Sequence, residues 1–406
     1  MRLSDILTEL VERRGDREIP ILSITKDCGI VLASERFGNS MQGRNLPVYR
    51  VAPRDSIALD PMLLWSGTIG RQKIVDLGAV SPDYRVYRAS DDALPEFLEF
   101  AFKGHRMAGR FRSSARGTNV RRNRISRSDF AALTMQLPPL PEQRKIAAIL
   151  SSVDEAIEKT QAVIDQVQVV KKGLMQELLT KGLPGRHKTF KQTEIGRIPE
   201  SWEVRALGDF CDAQAGGTPS RGDPQNFGGD IPWVKSGEVG GKTVTATEET
   251  LTMRGLQSSS ARWIPPGAVL VAMYGATAGQ VGRLSLRATT NQAVLAVMAR
   301  PEKAYSDFIY YLLESRGADL LGRVQGSGQP NLSKALICGL QVALPSLDEQ
   351  REIARLLGDA DSRVIADAGV LQVLRDLKSA LMSVLLTGEL RVRPDPPTPG
   401  PAEPAA

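Results

Sequence analysis

The chain has 406 residues, 42% hydrophobic and 24% charged, with 52 Lys and Arg against 46 Asp and Glu for a net charge of +6. That length calls for more than one folding unit, and the composition excludes a fully disordered polymer. No run approaches 18 uncharged apolar residues, which excludes a membrane-spanning helix, and Met1 to Arg14 mixes apolar with charged residues, unlike a secretory signal.

In chain order, residues 1–136 read as a mixed α/β segment with a helix over Leu94–Phe102. Within it, Ser66-Gly67-Thr68-Ile69-Gly70-Arg71 is a glycine-punctuated loop. It fits either a tight turn between strands or a place where backbone N–H groups approach phosphate. Trp65 before it reads as a core aromatic. From Lys103 to Arg127 there are nine Lys and Arg and no acid, a composition that attracts a polyanion or forms a solvated basic surface. Arg116, Arg121, Arg122, Arg124 and Arg127 are the candidates there for phosphate contact.

Residues 141–180 carry a heptad seam: Ile146, Leu150, Val153, Ile157, Ile164, Val167, Leu174 and Leu178, interrupted at Thr160 and Lys171. Pro141 suits the start of that helix. Ser201-Trp202 opens a second mixed α/β segment to about residue 343. Its runs Ala268–Tyr274 and Ala293–Val297 read as strands, and Tyr305–Leu313 as a helix. Gly240-Gly241-Lys242-Thr243 lacks the first glycine of a phosphate-binding loop, since position 236 is Ser236, and reads as a turn. Gly275-Ala276-Thr277-Ala278-Gly279-Gln280 is similar to the loop at 66–71, so Arg71 and Gln280 become paired candidates: Arg suits guanine and Gln suits adenine. Tyr274, like Trp65, reads as a core aromatic. Gln329, Asn331, Ser333 and Lys334 place amides, a hydroxyl and an ammonium in one stretch, which fits DNA proximity or capping of a short helix.

A second seam follows at Ile353, Leu357, Ala360, Val364, Leu371, Leu374, Leu381 and Leu385, interrupted at Asp367 and Lys378, with Asp348 as the expected N-cap. The Pro-rich tail from 392 to 406 predicts disorder, and Asp395-Pro-Pro-Thr398 within it lacks the aromatic of a methyltransferase motif. Three scattered cysteines, Cys28, Cys211 and Cys338, exclude a disulfide framework and a Cys-x-x-Cys zinc site. Two histidines, His105 and His187, leave little for metal or triad chemistry.

The two seams are one repeat. Residues 137–180 match 344–387 at an offset of 207, with 17 of 44 paired positions identical. The same offset sets Ile125-Ser126-Arg127 against Leu332-Ser333-Lys334. Matching lengths and matching polar breaks favour the two helices packing on each other over each packing only on its own domain. An antiparallel pair relates the two halves by an internal pseudo-two-fold axis. Such a chain would hold two similar heads at the ends of a rod, suited to two unlike half-sites on duplex DNA.

The paired phrases Leu137–Ala147 and Leu344–Ala354, the stretch Gly326–Lys334 and the stretch Ile195–Val204 resemble the specificity subunit of type I restriction–modification systems, over nearly the whole chain. The first copy departs from the family pattern: it begins at Met1 without a Pro-x-x-Trp opening, and Gly117–Arg124 replaces the Gly-x-x-Gln-Pro-Asn phrase. The resemblance implies an α+β fold of two mixed α/β target recognition domains separated by two long antiparallel coiled-coil helices with internal pseudo-two-fold symmetry. The divisions are 1–136, 137–185, 186–343, 344–391 and the tail 392–406. It implies a cytoplasmic, non-catalytic subunit with no cofactor of its own and no membrane contact. Its partners would be double-stranded DNA, two modification subunits carrying S-adenosylmethionine, and restriction subunits using ATP and Mg. A stand-alone DNA-modifying enzyme and a coiled-coil scaffold are the competing readings; the sequence carries no convincing cofactor fingerprint for the first.

Overall fold

The computed structural model describes residues 1–26, 29–37, 45–116, 124–241, 243–322 and 332–393. The chain forms two compact units, Met1–Ala162 together with the chain from Gly369 on, and Val163–Ala368. Compactness thus divides each long helix between the units, because each half-helix packs on the unit it enters or leaves.

In the first unit, four short runs pair antiparallel in the order Leu7–Leu10, Arg85–Ala89, Ile57–Leu59, Ile69–Arg71. The helix Pro95–Lys103 starts with Pro at its first position, where the missing N–H costs nothing. It contributes Phe97, Leu98, Phe100 and Phe102 to one core with Ile57, Leu59, Ile69 and Tyr87. Two further strand pairs, Leu22–Thr25 with Gly29–Leu32 and Arg50–Pro53 with Leu77–Val80, build a smaller core around Ile24, Ala52 and Val80.

The second unit repeats this plan. Its sheet runs Cys211–Ala215, Val294–Ala299, Val269–Ala272, Val281–Leu284, with the short parallel edge strand Thr243–Val244 added. Registers match as well: Ile57 faces Arg71 and Tyr87, while Val269 faces Arg283 and Val297. The helix expected over Tyr305–Leu313 runs from Ser306 to Gly322 and buries Phe308, Ile309 and Tyr311 beside Val269 and Val271.

The long helices span Leu140–Lys181, 42 residues, and Leu347–Leu385, 39 residues. At about 1.5 Å per residue each is roughly 60 Å long. Because Leu347 begins the second helix, Asp348 lies inside the first turn rather than at the N-cap. There its charge suits the helix dipole, and it pairs with Arg351 at 3.1 Å. All twenty seam positions, polar breaks included, are buried or half-buried.

Pairing is antiparallel in each unit. In the first, Ile146 and Leu150 near the start of one helix share a core with Leu385 at the end of the other. In the second, Leu178 and Leu179 share a core with Ile353 and Leu357.

Each helix start is latched by a buried amide. Gln143, 0% exposed, accepts from Leu94 N at 2.8 Å and donates to the carbonyls of Asp92 and Pro138, both at 2.8 Å. Gln350, 1% exposed, accepts from Tyr305 N at 2.8 Å and donates to the carbonyls of Lys303 at 3.1 Å and Pro345 at 2.9 Å. In both copies the latch joins the long helix to the loop that starts the domain helix.

The neighbouring glutamates are satisfied differently. Glu142 receives two hydrogen bonds from Arg391, each 2.7 Å, and one from Val392 N. Glu349 takes Trp202 Nε1 at 3.1 Å, the His187 ring at 2.7 Å and Leu183 N at 3.3 Å. Arg391 and Val392 are therefore docked, so order extends past 391, where the sequence suggested a disordered tail. Residues 394–406 lie outside the described residues.

Two outcomes follow. A buried group left without its partner costs roughly 1–3 kcal/mol. Gln350→Leu in the full chain should therefore lower the unfolding free energy by about 3 kcal/mol in chemical denaturation, while Arg351→Ala on the exposed face should move it little. The Arg391 hydrogen bonds hold the Glu142 carboxyl below the ordinary glutamate range, against a burial that would raise it. A depressed carboxyl stabilises the fold above its unfolded value of about 4.3 and loses that contribution as pH falls through its folded value. The melting-temperature gap between wild type and Arg391→Gln should be widest above about pH 5 and close as the pH drops below about 4.

Candidate nucleic-acid interface

The same junction closes one end of the sheet in each unit. In the first, Ile125, fully buried, donates its N–H to Pro61 O at 3.1 Å, just past the strand Ile57–Leu59. In the second, Leu332, also fully buried, donates to Met273 O at 2.9 Å, just past Val269–Ala272. Ile125 and Leu332 are the residues that the 207 offset pairs. Each junction sets a returning segment beside the loop that follows the central strand.

Around the first junction, Arg116 and Arg124 are bridged by two backbone hydrogen bonds of 3.2 and 3.0 Å. Arg116 is 84% exposed at its side chain, with Asp129 at 3.9 Å, and Arg124 is exposed. Between them Arg121 and Arg122 lie outside the described residues. Buried Arg85 donates to Ile125 O at 2.8 Å and anchors the returning segment. Ser126 caps the helix Arg127–Ala132 by accepting from Asp129 N.

Arg127 is tied to Glu9 at 2.9 Å, and Glu9 also holds Arg50 at 3.1 Å. Burial alone would raise the Glu9 carboxyl; the Arg127 hydrogen bonds and charge, with Arg50 and Arg85, outweigh it and hold the group low. Trp65 is half-buried on the main core, donates to Met62 O, and has the Arg112 guanidinium 5.7 Å from its ring. The short 3₁₀ turn Leu64–Ser66 is closed by Gly67 at φ +92° and leads into the strand Ile69–Arg71, so the tight-turn reading describes the backbone there.

Around the second junction, Ser333 accepts from Leu336 N at 3.1 Å and caps the short helix Lys334–Cys338. Ser333 and Lys334 are both exposed. Gln329 and Asn331 lie outside the described residues. Tyr274 is 37% exposed, so it is a surface aromatic at the sheet end rather than the core residue the sequence suggested. The strand ends at Ala272, and Met273 is the last buried residue before Tyr274. Gln280 is exposed on the rim of a polar groove of about 600 Å³, with Thr243, Thr245 and Thr247 beside it. Gly240 lies so close that a Cβ there would fall 2.6 Å from Gln280 Oε1.

Strand register corrects one pairing drawn from sequence. Arg71 lies opposite Ile57, and its counterpart opposite Val269 is Arg283, not Gln280. Both arginines turn inward to the domain helix. Arg71 meets Asp55 at 2.9 Å, Glu96 at 3.5 Å and Glu99 at 3.8 Å. Arg283 meets Asp307 at 2.9 Å and stacks 3.5 Å from the Tyr310 ring centre. The matching Gly70-Arg71 and Gly282-Arg283 dipeptides were the signal that could have found the pair. Among the described residues, no group of three His, Cys, Asp or Glu is arranged to hold a metal ion, and no helix is long and apolar enough to cross a membrane.

Residues 59–168 and 199–374 match the protein-family model described as the type I restriction modification DNA specificity domain. Over 343 residues the chain is 27% identical to the MjaVIII type I restriction enzyme specificity subunit of Methanocaldococcus jannaschii, covering 82% of this chain and 80% of that one. A solved chain from a study of complex assembly and conformational transition in the type I restriction–modification system superposes with a TM-score of 0.60 at 18% identity, over 96% of this chain and 97% of its own. The S subunit of the type I system from M. genitalium gives 0.59 at 14% identity over 95% of each chain. At such identities the two structures speak to the fold.

The first junction generates a binding outcome. Neutralising two phosphate-contacting cations lowers the slope of log K against log salt by about two for duplex DNA. Arg116→Ala with Arg124→Ala should produce that change and weaken binding across sequences, whereas Arg127→Ala, already paired with Glu9, should leave the slope in place. An unchanged slope in the double variant would contradict the assignment.

Proposed function

The chain belongs to the type I restriction–modification DNA specificity family, and from that premise we propose that it is a non-catalytic reader of a bipartite duplex target, one half-site per unit. One observation carries the reading: the same sheet, domain helix and latched long helix are built twice, while the side chains at the two sheet ends differ. Arg116 and Arg124 stand in one unit and Gln280 stands in the other, while Ser126-Arg127 and Ser333-Lys334 are the matched pair. A repeated scaffold with unlike reading loops suits a target whose halves are unlike. Arginines at one end suit phosphate and guanine, and Gln280 suits adenine.

In this reading the long helices set the number of base pairs between the half-sites, and they dock two modification subunits. S-adenosylmethionine, bound by those subunits, would supply the methyl group; restriction subunits would bring ATP- and Mg-dependent chemistry. This chain supplies binding, orientation and site choice, in the cytoplasm, where the DNA lies.

The test is methylome sequencing of the host with and without this gene. A methylated adenine motif of two halves with a constant gap, lost on deletion and restored by the gene, is the expected result. No gene-dependent motif would overturn the reading. Methyl transfer by the purified chain alone would replace it with that of a stand-alone enzyme.

A further inference from the structure

Two lysines sit in the apolar seams, and both are held in the same way. In the second unit, the Lys171 ammonium on the first long helix lies 2.7 Å from Asp361 on the second long helix. It also lies 3.2 Å from Glu314 and 5.3 Å from the Tyr311 ring, both on the domain helix Ser306–Gly322. The Tyr311 hydroxyl donates to Asp361 at 2.7 Å and closes the junction. In the first unit, the Lys378 ammonium lies 2.5 Å from Asp154 and 5.6 Å from the Phe100 ring of the domain helix. The lysines and the aspartates are each related by the offset of 207. Phe100 and Tyr311 are both the sixth residue of their helices. Each ammonium therefore touches both long helices and the domain helix of its unit.

Half-buried ion pairs are poor adhesives, since desolvation offsets most of the attraction. Their effect lies in what they forbid. A slip of one heptad would set Lys171 against Ala354 or Ala368, and Lys378 against Ala147 or Gln161. Either slip strands a charge in the seam, whereas the apolar positions on both sides would tolerate it. The aromatic contact adds the domain helix to the same constraint. We infer that the Lys171–Asp361 and Lys378–Asp154 junctions are positioning elements. They fix the register of the long helices and the seat of each domain helix upon them, and so select the gap between half-sites. The last step rests on the function proposed above.

The test uses the full chain with its partner subunits. Leucine at all four positions (Lys171→Leu, Asp361→Leu, Lys378→Leu, Asp154→Leu), combined with Tyr311→Phe to remove the hydroxyl that Asp361 accepts from, should keep the melting temperature at or above wild type, yet broaden the methylated motif from one gap to two or more. A purely structural role predicts a lower melting temperature and one gap, and that outcome overturns the inference. Asp361→Lys alone should lower methylation at the native motif roughly tenfold by setting like charges together. Exchanging the pair, Lys171→Asp with Asp361→Lys, should restore it, and failure to do so counts against the junction.

A readout without DNA separates this inference from the functional reading. Spin labels at the exposed positions Val169 and Ile365 report the register directly. The native pair should give one distance, and the leucine variant a second population displaced by about 10 Å, one heptad. One distance in both proteins overturns the register lock whatever the methylome shows.

Discussion

A side-chain amide taken out of water must find all its partners inside the protein, and this requirement organises both halves of the molecule. Gln143 and Gln350 are essentially without solvent contact, and each spends its oxygen and nitrogen on the backbone of the loop before the domain helix. The helix start sits where the loop carbonyls and the Leu94 and Tyr305 amides satisfy those groups. The long helix therefore leaves its domain at one angle, and the seam behind it faces one way. The antiparallel packing of Ile146 with Leu385, and of Ile353 with Leu178, rests on that aim.

Around this shared constraint the two units have diverged where chemistry allows. A buried glutamate needs donors but does not dictate their source. Glu142 takes an arginine and a backbone amide from the chain beyond the second long helix; Glu349 takes a tryptophan, a histidine and a backbone amide from the chain beyond the first. The sheet-end junctions differ more still. The backbone bonds of Ile125 and Leu332 and the helix caps Ser126 and Ser333 are common, and the exposed side chains around them vary without disturbing the core. A binding protein whose scaffold is fixed by buried backbone partners can change its reading loops at little cost in stability.

Much of this was legible in the amino-acid sequence, for identifiable reasons. Heptad spacing over forty residues announces a helix pair because burial along one stripe leaves a periodic signature. The matched breaks at Lys171 and Lys378 marked polar groups that the packing must accommodate. The candidate interface was less legible. Arg71 looks like a loop arginine in sequence, yet strand register delivers it to Asp55, Glu96 and Glu99, and nothing in local spacing encodes that meeting. Arg127 likewise finds Glu9 from the far end of the domain. Tyr274 follows buried Met273, and a single position separates core from surface there. The basic run, by contrast, leaves Arg116 and Arg124 exposed, because an acid-free stretch has few local partners to consume its charge.

Whether buried glutamine latches hold each long helix to its domain is read from amide hydrogen exchange at Leu94 and Tyr305. Those two N–H groups have Gln143 and Gln350 as their acceptors. Both should exchange as slowly as the core strands Ile57–Leu59 and Val269–Ala272. Exchange at the rate of exposed loop amides, with the strands still protected, would contradict it.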